Sequence, residues 1–211
     1  MAGKQPAYVR PWVYSFLTNT GDCQFKRVPS RLGGMGCKMQ FAGKEVFFDR
    51  NDLIVSKTDL DGRITYANHT FLEVSDYRED EVLGQQHNVI RNANMPRAVF
   101  EFLWSTIQAG KEIFAYVVNS TKHGDHYWVQ AHVTPSMRGD TVVGYHSTRR
   151  VPNPHTIQNI VMPLYDRLSS IERSNPSKKE GLQQSVAALQ EMLGEKGMSY
   201  DEFISDLKKD D

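Results

Sequence analysis

Apolar residues recur at every second position in five stretches between Leu53 and Ser147, and at helical spacing in the segments between and after them. Leu53-Ile-Val-Ser-Lys-Thr58 and Arg63-Ile-Thr-Tyr-Ala67 flank Asp59-Leu-Asp-Gly62, a pattern that predicts strand, tight turn, strand, with Asp61-Gly62 as the hairpin signal. Asn68 then stands where it caps a short helix carrying Phe71, Leu72 and Val74. Arg78 to Leu83 predicts a further helical turn closed at Gly84. A linker holding His87-Asn-Val-Ile-Arg91 follows. Pro96 suits the first turn of a helix through Ala109, because Val99, Phe100, Leu103, Trp104 and Ile107 share one face and Gly110 ends it.

Three more alternating stretches, Ile113 to Asn119, Tyr127 to Thr134 and Thr141 to Ser147, are separated by turns at His123-Gly124-Asp125 and Arg138-Gly139-Asp140. Hairpins at both ends force antiparallel neighbours, which excludes a doubly wound parallel sheet. The expected fold is α+β: a five-stranded antiparallel sheet with short helices on one face. The helical block crosses from one edge of that sheet to the other.

The chain divides by texture into residues 1–40, 41–151 and 152–211. Residues 1–40 show neither period, are rich in Gly and Pro, and are expected to form a flexible basic arm in which Trp12, Tyr14 and Phe16 alternate like a short strand. After Pro152 and Pro154, helices are predicted from Thr156 to Arg173, from Lys178 to Leu193 and, capped by Ser199, from Tyr200 to Lys208. Pro163 should kink or restart the first of these. Their apolar stripes require a partner, either the sheet of the same chain or a second copy.

Charge narrows the possible roles. The 211 residues carry 25 basic and 25 acidic side chains, and residues 1–40 hold six basic against one acidic, so the remainder is acidic. Zero formal charge argues against a protein built to neutralise nucleic-acid phosphates. No apolar run reaches the length of a membrane span, and the expected setting is cytoplasmic. Cys23 and Cys37 make neither a disulfide framework nor a zinc site and are expected to be free thiols. His123 and His126 flank Gly124-Asp125 without a third ligand at suitable spacing, as a turn would place them. No nucleophile elbow, phosphate-binding glycine loop or zincin helix is present, and Asp59, Asp61, Glu79 and Asp80 sit where capping explains them. An enzyme is not expected.

Thr58-Asp-Leu-Asp-Gly-Arg-Ile-Thr-Tyr-Ala-Asn68, Phe71-Leu-Glu-Val-Ser75, His87-Asn88 with Arg91, Met95-Pro96, Gly124-Asp-His-Tyr-Trp-Val129, Val133-Thr-Pro135 and Gly144-Tyr145 together resemble a PAS domain, in particular the sensory domain of bacterial aerotaxis receptors. The likeness covers about residues 50–150, and Pro163-Leu-Tyr165 is similar to the segment that follows the domain in those receptors. It implies FAD held non-covalently in the PAS cavity and a redox or oxygen signal passed to a chemotaxis partner.

Carried over residue by residue, the resemblance makes Asn68, His87, Asn88, Arg91, Asn92, Trp104, Phe114 and Trp128 the candidate cofactor contacts. An amide at Asn68 has both a donor and an acceptor for a flavin edge, and serves equally as a helix cap. Arg91 offers a fork for phosphate or a plane for stacking, or else a surface ion pair. Trp104 and Trp128 could instead be packed core, even against each other. Asn92, Ala93 and Asn94 replace the family's His, Pro and Asp. Phe114 and Tyr116 replace its Trp and Gly, and they share a strand face, so Tyr116 would fill part of a pocket if that face points inward.

The expected function is thus a cytosolic PAS sensor that binds FAD and reports redox or oxygen status, as a homodimer or with a signalling partner. An interaction module with a filled or empty pocket is the alternative. A haem sensor is weaker, although His69, His87, His123, His126, His132 and His146 offer axial ligands. Light-driven cysteine adducts are excluded, because both cysteines lie in the arm rather than the helical linker.

Overall fold

The computed structural model describes residues 39–210. The arm with Trp12, Tyr14, Phe16, Cys23 and Cys37 lies outside the described residues. Five strands form one sheet: β1 Ile54–Thr58, β2 Ile64–Ala67, β3 Ile113–Ser120, β4 His126–Arg138 and β5 Thr141–Arg150. Their order is β2-β1-β5-β4-β3 with antiparallel neighbours throughout. β2 and β3 occupy opposite edges, so the chain between them crosses the sheet, as the alternation of hairpins and helices requires.

That crossing consists of α1 His69–Ser75, α2 Glu79–Val82, a 3-10 turn at His87–Ile90 and α3 Arg97–Gln108. Local chemistry sets its start. The Asp59 carboxylate accepts from the Asp61 and Arg63 amides at 2.9 and 2.8 Å, and Gly62 takes a φ of 75° to complete the first hairpin. Asn68 Oδ1 accepts from Phe71 N at 3.0 Å and from Val55 N at 2.9 Å, while its Nδ2 donates to Leu53 O at 2.7 Å. One amide therefore caps α1 and ties it to the strand beside it. The face of α3 formed by Val99, Phe100, Leu103, Trp104 and Ile107 is buried over the sheet.

The C-terminal chain folds back on its own domain. A helical turn at Pro154–Thr156 leads into a π-helical stretch, Ile157–Val161, and then α4 Met162–Ser174, α5 Lys178–Glu195 and α6 Tyr200–Leu207. Pro163 has no N–H to donate and its ring would strike the carbonyl of Asn159 in a regular α-helix. The wider π turn, closed by Met162 N donating to Ile157 O, absorbs this where a kink or restart was expected, and the chain stays helical from Pro154 to Ser174. Tyr165 and Trp128 pack on the back of the sheet with ring centroids 6.2 Å apart, and Tyr200 stacks on Phe102 of α3 at 5.4 Å. The extension thereby clasps the β3 edge, so the short crossing helices lie on one face of the sheet and the extension covers part of the other.

Candidate functional site

The inward positions of four strands alternate with outward ones, and several of those on β1 and β5 are polar. On β1 they are Ile54, Ser56 and Thr58, and on central β5 they are Tyr145, Ser147 and Arg149, with Ser56 paired to Ser147 and Ile54 to Arg149. α3 closes over them with Phe100, Leu103, Trp104 and Ile107, and His87 and Arg91 approach from the 3-10 turn and its end. Between them lies a cavity of about 80 Å³, completed by Ile90, Val117, Asn119, Ala131 and Val133.

Arg149 is 3% exposed on the central strand. Its Nη2 donates to Ser56 Oγ at 3.0 Å and to His87 Nε2 at 2.6 Å, and its guanidinium lies 5.7 Å from the Phe71 ring centre. Ser56 Oγ is also 3.0 Å from His87 Nε2, so that nitrogen acts as an acceptor and the imidazole is neutral. Burial first, then the adjacent Arg149 charge, hold the His87 pKa well below its ordinary value. Burial also draws Arg149 down to about 10, and among the described residues no carboxylate pairs with it. Arg91 is likewise brought to about 10 by burial, opposed by the charge of Glu172, and its guanidinium covers the Phe100 ring at 4.6 Å.

Four buried polar atoms on the cavity wall, Thr58 Oγ1, Arg91 Nη1, Ser147 Oγ and Arg149 Nη1, have no hydrogen-bond partner among the described residues. Buried polar groups are ordinarily paired, and each unpaired one costs about 1–3 kcal/mol. Their convergence on one cavity gives it a polar wall able to hydrogen-bond a ligand that has polar groups of its own. The donor set suits the carbonyl and ring-nitrogen edge of a flavin. The volume is smaller than the ~300–1,000 Å³ of sites that enclose drug-sized ligands, so a tricyclic ring requires the cavity to widen.

Of the candidate contacts, His87, Arg91 and Trp104 line this cavity, with Trp104 edge-on to Tyr145 at 5.6 Å. The other five do not. Asn68 spends its amide on the cap and strand bonds above. Asn88 accepts from Arg91 N through its carbonyl, closing the 3-10 turn. Asn92 donates to Ser120 Oγ at 2.9 Å and accepts from Asn94 N at 2.9 Å, pinning the loop before α3. Phe114 and Trp128 lie on the opposite face of the sheet, Phe114 stacked on His132 at 4.1 Å and Trp128 against Phe41 and Tyr165. Trp104 and Trp128 are thus separated by the sheet and do not pack together. Tyr116 shares the outward face: its carbonyl accepts from Tyr165 Oη at 2.6 Å, and it takes no space from the cavity. Ser56, Thr58, Asn119, Ser147 and Arg149, which do line it, were not among the candidates. The spacing of two that puts Ser56 and Thr58 on one face with Ile54, and Ser147 and Arg149 on one face with Tyr145, was the available signal. His123 pairs with Asp76 at 3.2 Å and His126 stacks on Phe41 at 3.9 Å, each held by a different neighbour.

Comparison with known proteins agrees with this architecture. Residues 49–148 match the family model of the PAS fold. The aerotaxis receptor of Escherichia coli strain K12 is 41% identical over 117 residues, 56% of this chain and 23% of that receptor. The nitrogen fixation regulatory protein of Klebsiella pneumoniae is 24% identical across 54% of this chain and 26% of its own. The chain therefore spans about a quarter of the length of these curated relatives. A solved light-oxygen-voltage domain structure concerned with a flavin analogue aligns at 19% identity over 55% of this chain and 87% of its own, with a TM-score of 0.47. Five antiparallel strands in this order, helices crossing over a cavity and the match of residues 49–148 make this segment a PAS domain.

Proposed function

We propose that the domain is a flavin-holding sensor, with FAD as the ligand, rather than a catalyst. The observation that carries it is the set of four unpartnered polar atoms, Thr58 Oγ1, Arg91 Nη1, Ser147 Oγ and Arg149 Nη1, on one cavity wall. A bound flavin supplies reversible electron uptake, and the chain supplies the surroundings that register it. Arg149, uncompensated by any carboxylate among the described residues, favours whichever ligand state carries more negative charge. Neutral His87 and Ser56 hold the guanidinium in place, and Trp104 and Phe100 exclude water from the α3 side. In parallel with its 41%-identical relative, the domain reports redox or oxygen status to a signalling partner, alone or as a homodimer. The absorption spectrum of the purified protein tests this. Flavin bands that leave with free FAD on denaturation support it, and a protein that stays colourless after incubation with FAD refutes it.

A cofactor-free interaction module is the second possibility, favoured by the cavity volume of about 80 Å³. Haem has less support: His87 lines the cavity, but its acceptor nitrogen is engaged by Ser56 and Arg149.

A further inference from the structure

The first turn of α3 follows Pro96, which has no side-chain oxygen to cap it. Its cap comes from elsewhere. Glu172, on α4 of the C-terminal extension, accepts from Arg97 N at 3.1 Å and Arg97 Nε at 3.0 Å through Oε2, and from Ala98 N at 3.0 Å through Oε1. Both side chains of this ion pair are about nine-tenths buried, at 10% and 8% exposure. Close by, Ser169 Oγ of α4 donates to Asn94 O at 3.3 Å. The Glu172 charge also acts on Arg91, the cavity-lining cation.

One carboxylate from outside the PAS domain therefore holds the first turn of the helix that brings Phe100, Leu103 and Trp104 to the cavity wall. We infer that Glu172 is a positioning residue tying the cavity to the C-terminal helices. A ligand that displaces α3 weakens this hold and loosens α4. The identity of that ligand rests on the flavin assignment; the tie itself does not.

Amide hydrogen exchange on the full chain tests it, read in α4 with the β1 and β5 amides as the control. Four samples are compared: wild type before and after saturation with FAD, and Glu172→Gln and Glu172→Ala without ligand. Exchange across Met162–Ser174, with Arg97 and Ala98, is expected to rise at least fivefold in Glu172→Ala and less in Glu172→Gln, which keeps one acceptor, with the sheet unchanged. FAD binding is expected to raise exchange across Met162–Ser174 in the wild type. If FAD binds by its spectrum and α4 stays silent, the coupling is overturned while the flavin assignment stands. If FAD does not bind but Glu172→Ala loosens α4, the tie stands and the flavin assignment falls. If FAD does not bind and Glu172→Ala leaves α4 unchanged, both fall.

Discussion

Arg149 donates to His87 Nε2 at 2.6 Å from the centre of the sheet, so a cation and an imidazole share a buried site that only a neutral imidazole tolerates. A buried charge without a partner is a cost to folding. Arg149→Met removes that cost, and Ser56 Oγ and His87 Nε2, 3.0 Å apart, remain able to pair with each other. The variant is expected to unfold at an equal or higher urea concentration while its FAD affinity falls at least tenfold, about 1.4 kcal/mol. Equilibrium dialysis with FAD and urea titration measure both. Wild-type affinity in the variant would remove Arg149 from the site.

The same pair sets an acid limit. His87 titrates below its ordinary 6.5 in the folded protein, so on acidification the unfolded chain binds the proton first. The stability this neutral histidine contributes is complete above about pH 6.5 and is lost as pH falls below that value. Wild type is expected to lose more stability between pH 7.5 and 5.5 than His87→Gln, which keeps an acceptor but cannot be protonated. Denaturant titrations at the two pH values give the difference.

Tyr116 divides an inward from an outward account of β3. It is fully buried under the extension, where its carbonyl accepts from Tyr165. Tyr116→Ala is expected to cost about 3–5 kcal/mol, the range for truncating a large buried aromatic, with FAD uptake per folded molecule unchanged. An increase in uptake would place the side chain in the cavity.

Asn68→Ala removes a helix cap and leaves Val55 N and Leu53 O without their partner. The expected loss is about 2–4 kcal/mol by urea unfolding, with the flavin spectrum of the remaining folded protein unaltered. A variant that folds normally and fails to bind FAD would return Asn68 to the contact set.

Strand and helix positions were legible because turn chemistry and period agreed, as at Asp61-Gly62, Asn68 and Gly110. The β5 strand runs past the expected Ser147 to Arg150, since a buried arginine at position 149 reads in sequence as an exit from the sheet. The site was harder for the same reason. Alternation correctly placed Phe114 and Tyr116 on one face, but it cannot say which face is inward when both are covered. Here the C-terminal helices bury the outer face too, so apolar residues mark both sides and the polar ones, Ser56, Thr58 and Ser147, mark the cavity. His87, Arg91 and Trp104 were among the candidates that the resemblance supplied, and the linker and α3 bring those three to the cavity.

The π-helical stretch at Ile157–Val161 fixes the angular phase of everything after it. It accommodates one residue more than an α turn, and each residue of an α-helix advances the chain by about 100°. Deleting a single residue there would return the turn to α geometry and set the Pro163 ring against the carbonyl four residues before it. The extra residue is therefore what lets one helix run through the proline and deliver both Tyr165 and Glu172 to their places on the domain. The joint is thus a spacer between sensor and extension with no residue to lose.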